Sequence, residues 1–469
     1  MPDIVKEKKL HEEYSPEEIF MPEEYKEHFY IDPGETVPVK IVKDYRNQGK
    51  SGVIDLGTYT SYDRSEEALK FANGILTGQP PYLMHGATVL CSALVKPVEK
   101  ADGTHVIMGR NMDLPNSFYP LCVFRTAVPG KYRTANISYV SIHMETFDQI
   151  AETGTMSKDM FDIMPFVFTD AVNEKGLFIE GNMRPLDDTI VTYGGFDPSK
   201  PDINEFPLMR GIIDNCATID EAIEYCNQYN VCALYGDVMQ LHIAFCLMDS
   251  TGRYGVIEFA NGKTEFTEFP GQTNYWISKE FKDVTPVHYG YGRWDAMMRQ
   301  YHKIEGMKDM GEVMDTIRFS HLFRDDISEI RWDPRTDLIG YLQPTITDSV
   351  EYLNEIAGSL GIEIDEKHYA KMLELGKLTE GVRFDTAYCS DPRNAEILFN
   401  FYQYLRNLFV KLPNYAKKVC HFDECSEIQT VNDNREFVLH AHFFEQDDWF
   451  RLDPFGDGDA MEPEPAPEN

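Results

Sequence analysis

Short runs in which apolar and polar positions alternate fill the middle of the chain, the period expected of half-buried strands. Apolar-rich runs at 91–95 and 106–108, separated by Asp102-Gly103, predict a β-hairpin whose second arm enters Gly109-Arg110-Asn111-Met112-Asp113. Runs at 166–170 and 176–180 flank the turn Asn173-Glu174-Lys175-Gly176. Those at 241–248, 254–259 and 264–269 predict a meander, punctuated by Asp249-Ser250-Thr251-Gly252 and Asn261-Gly262. The period lengthens at 218–229, where Ile219, Ala222, Ile223 and Cys226 line one helical face behind a Thr218/Glu221 capping box.

The flanks have a different character. Residues 1–27 are charged and predict little order beyond a short helix at 22–28. A strand at 37–42 and a Ser65-capped helix at 65–75 follow, before Gln79-Pro80-Pro81 breaks the chain. From about 324 to 418 the pattern is helical, at 349–360 and at 394–409, where Leu398, Phe401, Leu405 and Phe409 share a face. Strand pattern returns at 427–431 and 437–443. Residues 453–469, acidic and Pro-rich, predict a disordered tail.

Composition narrows the function. Apolar residues at 42%, with 13% aromatics, suffice for a large core. A net charge of −34 argues against a nucleic-acid partner, because a phosphate backbone would be repelled. No apolar run is long enough to span a membrane, and the N-terminus has no apolar signal segment. Nine cysteines, an odd number scattered through apolar segments, read as reduced thiols and predict a cytoplasmic location.

No metal or cofactor is expected. His440-x-His442 lacks a third ligand, and the Asp453 to Asp459 stretch lacks the closing glutamate of a calcium loop. Cys420-His421 with Cys425 has the wrong spacing for a zinc knuckle.

Cys91 is the candidate for chemistry. To attack an amide, a thiol must lose its proton to a base, and the oxyanion that forms needs donors. The base could be one of 13 histidines, or the α-amine of Cys91 itself were it the first residue of its chain.

Several motifs now fall in register. Cys91-Ser92-Ala93 followed by Gly109-Arg110-Asn111-Met112-Asp113 resembles the opening of the choloylglycine hydrolase family of linear-amide hydrolases. These are the bile salt hydrolases and penicillin V acylases of the N-terminal-nucleophile (Ntn) superfamily. Residues 170–177, the helix start at 217–222, Asp249 to Gly252 with Glu258, Gln272-Thr273-Asn274 and Gly292-Arg293 resemble its later motifs in the same order.

The resemblance implies an α+β fold, a four-layer αββα sandwich, and hydrolysis of a linear C–N amide bond in an N-acyl small molecule. It implies that Cys91 is the nucleophile and its freed α-amine the general base. Arg110 would sit by the sulfur, Asp113 would bind the α-amine, and Asn274 would donate to the oxyanion. Arg293 would fix Asp113 or the surroundings of Cys91. For the second oxyanion position, ungapped counting lands on Met183; a one-residue shift restores Asn182, and a backbone N–H is the other alternative.

The implied organisation is a prosegment at 1–90, core at 91–323, a helical insertion at 324–418, C-terminal core strands at 419–452 and the tail at 453–469. Ninety residues ahead of Cys91 exceed the family's usual leader and look more like the acid ceramidase and N-acylethanolamine amidase relatives. Autocatalytic cleavage before Cys91 is the expected activation, and a homo-oligomer is possible. Two alternatives stay open: an acyltransferase using the same thioester, and a non-catalytic, unprocessed acidic binding module.

Overall fold

Eleven residues of alternating sequence, a turn at Ala101-Asp102 and thirteen more residues make the hairpin Leu90–Lys100 and Gly103–Pro115. Gly103, at φ 121°, takes the turn conformation that a side chain would strain. The computed structural model describes residues 35–48, 52–62, 90–115, 121–139, 144–185, 196–232, 241–282, 294, 297–298, 301–302, 313, 366–378, 425–443, 449–455 and 461–464.

This hairpin belongs to a seven-stranded sheet. In spatial order its strands are Gly271–Gln272, Leu90–Lys100, Gly103–Pro115, Cys425–Asp433, Leu439–Phe443, Trp449–Leu452 and Met461–Glu464. A nine-stranded sheet faces it. Its order is Lys263–Thr267, Tyr254–Ala260, Leu241–Met248, Phe178–Pro185, Asp170–Asn173, Thr134–Tyr139, Leu121–Thr126, Gly52–Tyr59 and Lys40–Asp44.

Three apolar cores define the layers. Between the sheets, Cys91, Ala93, Val95, Val106 and Met108 pack against Val123, Ile137, Val172, Phe178 and Cys246. On the other face of the larger sheet, Ile54, Phe124, Ile179 and Phe245 meet Phe147, Leu208, Ile212, Ile219 and Ala222 from helices Met144–Thr153, Glu205–Asn215 and Ile219–Cys226. On the outer face of the smaller sheet, Leu94, Val98, Ile107 and Val431 pack on Met297, Met298 and Val313, all in helical conformation. The order helix, sheet, sheet, helix is the expected α+β, αββα sandwich, and alternation along each strand sends successive residues to different cores.

Several local expectations hold where the chain is described. Thr218 caps its helix, accepting from the Glu221 N–H at 3.3 Å, while Glu221 accepts from the Ala217 N–H. The meander forms at Leu241–Met248, Tyr254–Ala260 and Lys263–Thr267. The strand expected at 166–170 begins instead at Asp170, because Pro165, which has no N–H for a ladder, sits in a 3₁₀ turn at Met164–Phe166.

Two findings add structure to the flanking segments. Within residues 1–90, Gly52–Tyr59 pairs in parallel with Leu121–Thr126, and its Val53 and Ile54 are fully buried. That part of the segment before Cys91 is sheet and core. In the tail, Met461–Glu464 is ordered as the outermost strand, where Pro463 is tolerated.

The helix Glu366–Leu378 lies in the segment expected to be helical. The helices expected at 22–28, 65–75, 349–360 and 394–409 lie outside the described residues. Among the described residues, no helix is long and apolar enough to cross a membrane.

Candidate active site

Hairpin register brings the first two candidates together. Cys91 pairs with Met112 and Ala93 with Arg110, so Cys91 and Arg110 are diagonal neighbours facing the larger sheet. Both are buried, and Arg110 Nη2 lies 3.9 Å from Cys91 Sγ.

Nη1 contacts Met112 Sδ on its own strand at 3.0 Å, and all three guanidinium nitrogens also reach across to the larger sheet. Nε donates to Glu180 Oε2 at 2.7 Å, Nη1 to Asp170 Oδ2 at 2.8 Å, and Nη2 to the Gly181 carbonyl at 2.6 Å. A planar guanidinium with five N–H groups suits this several-sided site in a way that a lysine ammonium would not. Thr430, from the strand beside Arg110, donates to the other oxygen of Asp170 at 3.3 Å.

Burial disfavours charge on Arg110, but Asp170, then Glu180 and the Cys91 sulfur, hold its pKa above the ordinary arginine range. Burial pushes the Glu180 carboxyl up to about 7, against the pull of Arg110. Asp170 is raised by the same burial and likewise opposed by Arg110. The thiol therefore stands beside a permanent cation whose charge is shared between two desolvated carboxyls.

Asn274 reaches Cys91 from the loop that follows Gly271–Gln272, the strand paired with Leu94 and Ala93. Its Oδ1 accepts the Cys91 backbone N–H at 3.1 Å, and its Nδ2 donates to the Met183 carbonyl at 2.9 Å. The side chain is thus held at the peptide nitrogen of the candidate nucleophile.

Alternation separates the Asn182 and Met183 alternatives. Phe178, Glu180, Asn182 and Arg184 share one face of their strand; Phe178 lies in the core between the sheets and Glu180 bonds Arg110. Met183 points the other way and packs against the helix-side core, contributing only its carbonyl to Asn274. Asn182 is fully buried, and with its amide oriented to satisfy both groups, Nδ2 lies 2.9 Å from Glu180 Oε2 and 3.2 Å from the Gly181 carbonyl.

Asp113 occupies the register position opposite Leu90. Arg293 lies outside the described residues. Among the described residues no group of His, Cys, Asp and Glu is arranged to hold a metal.

Sequence reasoning missed Glu180, Asp170 and Arg184 as parts of this cluster. A cue was present: Glu180 interrupts the apolar run Leu177-Phe178-Ile179, and an acid inside a strand buried on both faces needs a partner.

On the inner face of a two-sheet sandwich, the Cys91 sulfur lies beside a guanidinium and its backbone nitrogen beside the Asn274 amide, an arrangement that suits hydrolysis of a linear amide C–N bond. Residues 91–269 match the model of the linear amide C–N hydrolases, choloylglycine hydrolase family, and the match starts at Cys91.

Among solved structures, the chain is similar to a mutant conjugated bile acid hydrolase from Clostridium perfringens. Identity is 15%, coverage is 81% of this chain and 97% of that one, and the TM-score is 0.35. For penicillin V acylase from Agrobacterium tumefaciens the values are 16%, 51%, 76% and 0.33. Both superpositions are loose, and the family likeness rests on residues 91–269. No curated protein gives a significant match.

Proposed function

We propose that the protein is a cysteine amidase that hydrolyses a linear C–N amide bond of an N-acyl small molecule through a thioester on Cys91. The observation that carries this is the environment of Cys91, with Arg110 Nη2 at 3.9 Å from its sulfur and Asn274 Oδ1 at 3.1 Å from its nitrogen. A cation beside a thiol favours the thiolate, the nucleophilic form.

Activation is a self-cleavage. Cys91 Sγ attacks the Leu90 carbonyl carbon, the C–N bond breaks, and the nitrogen takes up a proton to become the α-amine. Water then hydrolyses the thioester, releasing the Leu90 carboxylate and restoring the thiol. The new α-amine, with an ordinary pKa of about 7.7–8.0, suits general base catalysis near neutral pH.

In turnover the amine takes the thiol proton as sulfur attacks the substrate carbonyl, then gives it to the departing amine. Asn274 and Asn182 supply side-chain amides for the oxyanion. Asp113 binds the α-amine, and Arg293 supports Asp113 or the surroundings of Cys91. Water, deprotonated by the α-amine, cleaves the acyl-enzyme and releases a carboxylic acid.

The substrate belongs to the bile-salt, penicillin V or N-acyl amino acid type. Cys216, Cys226 and Cys246 are buried and form no disulfide, which suits a reducing, cytoplasmic setting. The test is mass analysis of the purified protein together with assays on a glycine-conjugated bile acid, penicillin V and an N-acyl amino acid. Release of the amine by the protein, abolished in Cys91→Ala, is expected. Turnover that survives Cys91→Ala overturns the proposal.

A further inference from the structure

We infer that Arg184 and Glu258 are positioning residues for this reaction, gripping the main chain on both sides of Asn274. The inference rests on the reading above, in which the Asn274 amide meets the oxyanion.

Arg184 and Glu258 are buried and form an ion pair, Nε to Oε1 at 2.9 Å. Each then turns to the loop that carries Asn274. Ahead of it, Arg184 Nη1 donates to the Thr273 carbonyl at 2.5 Å and Nη2 to the side-chain oxygen of Gln272. Beyond it, Glu258 accepts the Ile277 N–H at 2.9 Å and the Ser278 N–H at 2.6 Å.

Three of these four loop contacts are to backbone atoms, so they fix the path of the chain through residue 274. Gln272 extends the brace, its Nε2 donating to Glu180 Oε1 at 2.7 Å. Through Glu180 the loop is tied to the guanidinium beside the sulfur.

Stability alone does not account for such a pair. Taking two charges out of water offsets most of their attraction, and an apolar pair of similar volume often packs equally well. A guanidinium reaching three acceptors supplies direction, which an oxyanion donor requires: a displacement of about 1 Å can cost roughly 100-fold in rate.

The test is a double-mutant cycle on the processed protein, with p-nitrophenyl butyrate as an activated acyl donor that keeps slow variants measurable. Arg184→Lys is expected to lower kcat by roughly 10-fold or more with KM changed by less than about 3-fold, as for loss of a contact made in the transition state. In an Asn274→Ala background the same change is expected to add less than about 2-fold, because the group it positions is gone. An equal loss in both backgrounds, or none in the first, overturns the inference. Undiminished kcat in Asn274→Ala alone overturns the reading of Asn274 instead.

Glu258→Gln, which preserves shape, runs the same cycle if Arg184→Lys does not accumulate. It is also expected to speed amide hydrogen exchange at Ile277 and Ser278, and unchanged exchange there counts against the brace.

Discussion

The backbone N–H of Cys91 donates to Asn274 Oδ1 at 3.1 Å, although 183 residues separate them in sequence. One contact therefore joins the nitrogen of the Leu90–Cys91 peptide to the candidate oxyanion donor. In the proposed mechanism, self-cleavage turns that same nitrogen into the general base.

Purified protein is expected to yield a fragment with Cys91 at its N-terminus, seen by intact mass and N-terminal sequencing. Cys91→Ala is expected to stay full-length and inactive. Full activity from a chain whose Leu90–Cys91 bond is intact would sink the self-processing mechanism.

Arg110 is the most exacting position. Replacement by Met leaves Asp170 and Glu180 without the cation that both contact, and stranding buried charge costs about 3–5 kcal/mol. Arg110→Lys keeps a charge but loses the fork that reaches Glu180, Asp170 and Gly181 together. We expect kcat/KM to fall by roughly 100-fold or more in the lysine variant, and urea melts to show the larger stability loss in the methionine variant. A lysine enzyme within a few-fold of the parent would mean that Arg110 acts only as a point charge.

The buried Glu180 makes stability depend on pH. Folding raises its pKa, from an ordinary carboxylate value of 4.5 to about 7. Its contribution is therefore fully present below the ordinary range and is lost as pH rises through about 7. Between pH 5 and pH 8 the parent should lose stability relative to Glu180→Gln, measured by urea melts of both proteins. A constant difference across that interval would show that Glu180 keeps one charge state throughout.

Cleavage before Cys91 should not release the preceding segment. Ile54 is fully buried between the larger sheet and the helices, in a strand paired with Leu121–Thr126. Ile54→Ala should cost about 2–5 kcal/mol, as for other core truncations. The fragment ending at Leu90 should co-elute with the remainder on native gel filtration and part from it in denaturant. Separation under native conditions would contradict this.

Much of the local structure was legible because its causes are local. Alternation and Asp102-Gly103 predict the hairpin, and Thr218 with Glu221 predicts the helix start that forms at Ile219. The strand Gly52–Tyr59 was missed; it sits between Lys40–Asp44, its antiparallel neighbour, and Leu121–Thr126, a parallel partner that comes after the hairpin and leaves no turn between the two to read. The tail's Met461–Glu464 was obscured by its acidic, Pro-rich composition, which an edge strand tolerates.

For the site, family resemblance singled out Cys91, Arg110 and Asn274, and the fold brings these three together. Nothing in the spacing indicated that Arg110 would meet Glu180, 70 residues on, or that Arg184 and Glu258 would bracket Asn274.

What the sequence determined by itself is the hairpin, the meander, the capped helix start at Thr218 and the resemblance to the linear amide hydrolase family. Only the tertiary structure decided which charges share the buried space between the sheets. Alternation tells a residue's face but not what lies opposite, and that depends on strand order and on how two twisted sheets stack. Asn182 shows the difference: the sequence sets Asn182 and Met183 on opposite faces, and the stacking of the sheets puts the Asn182 side chain beside Glu180 and Met183 against the helix-side core.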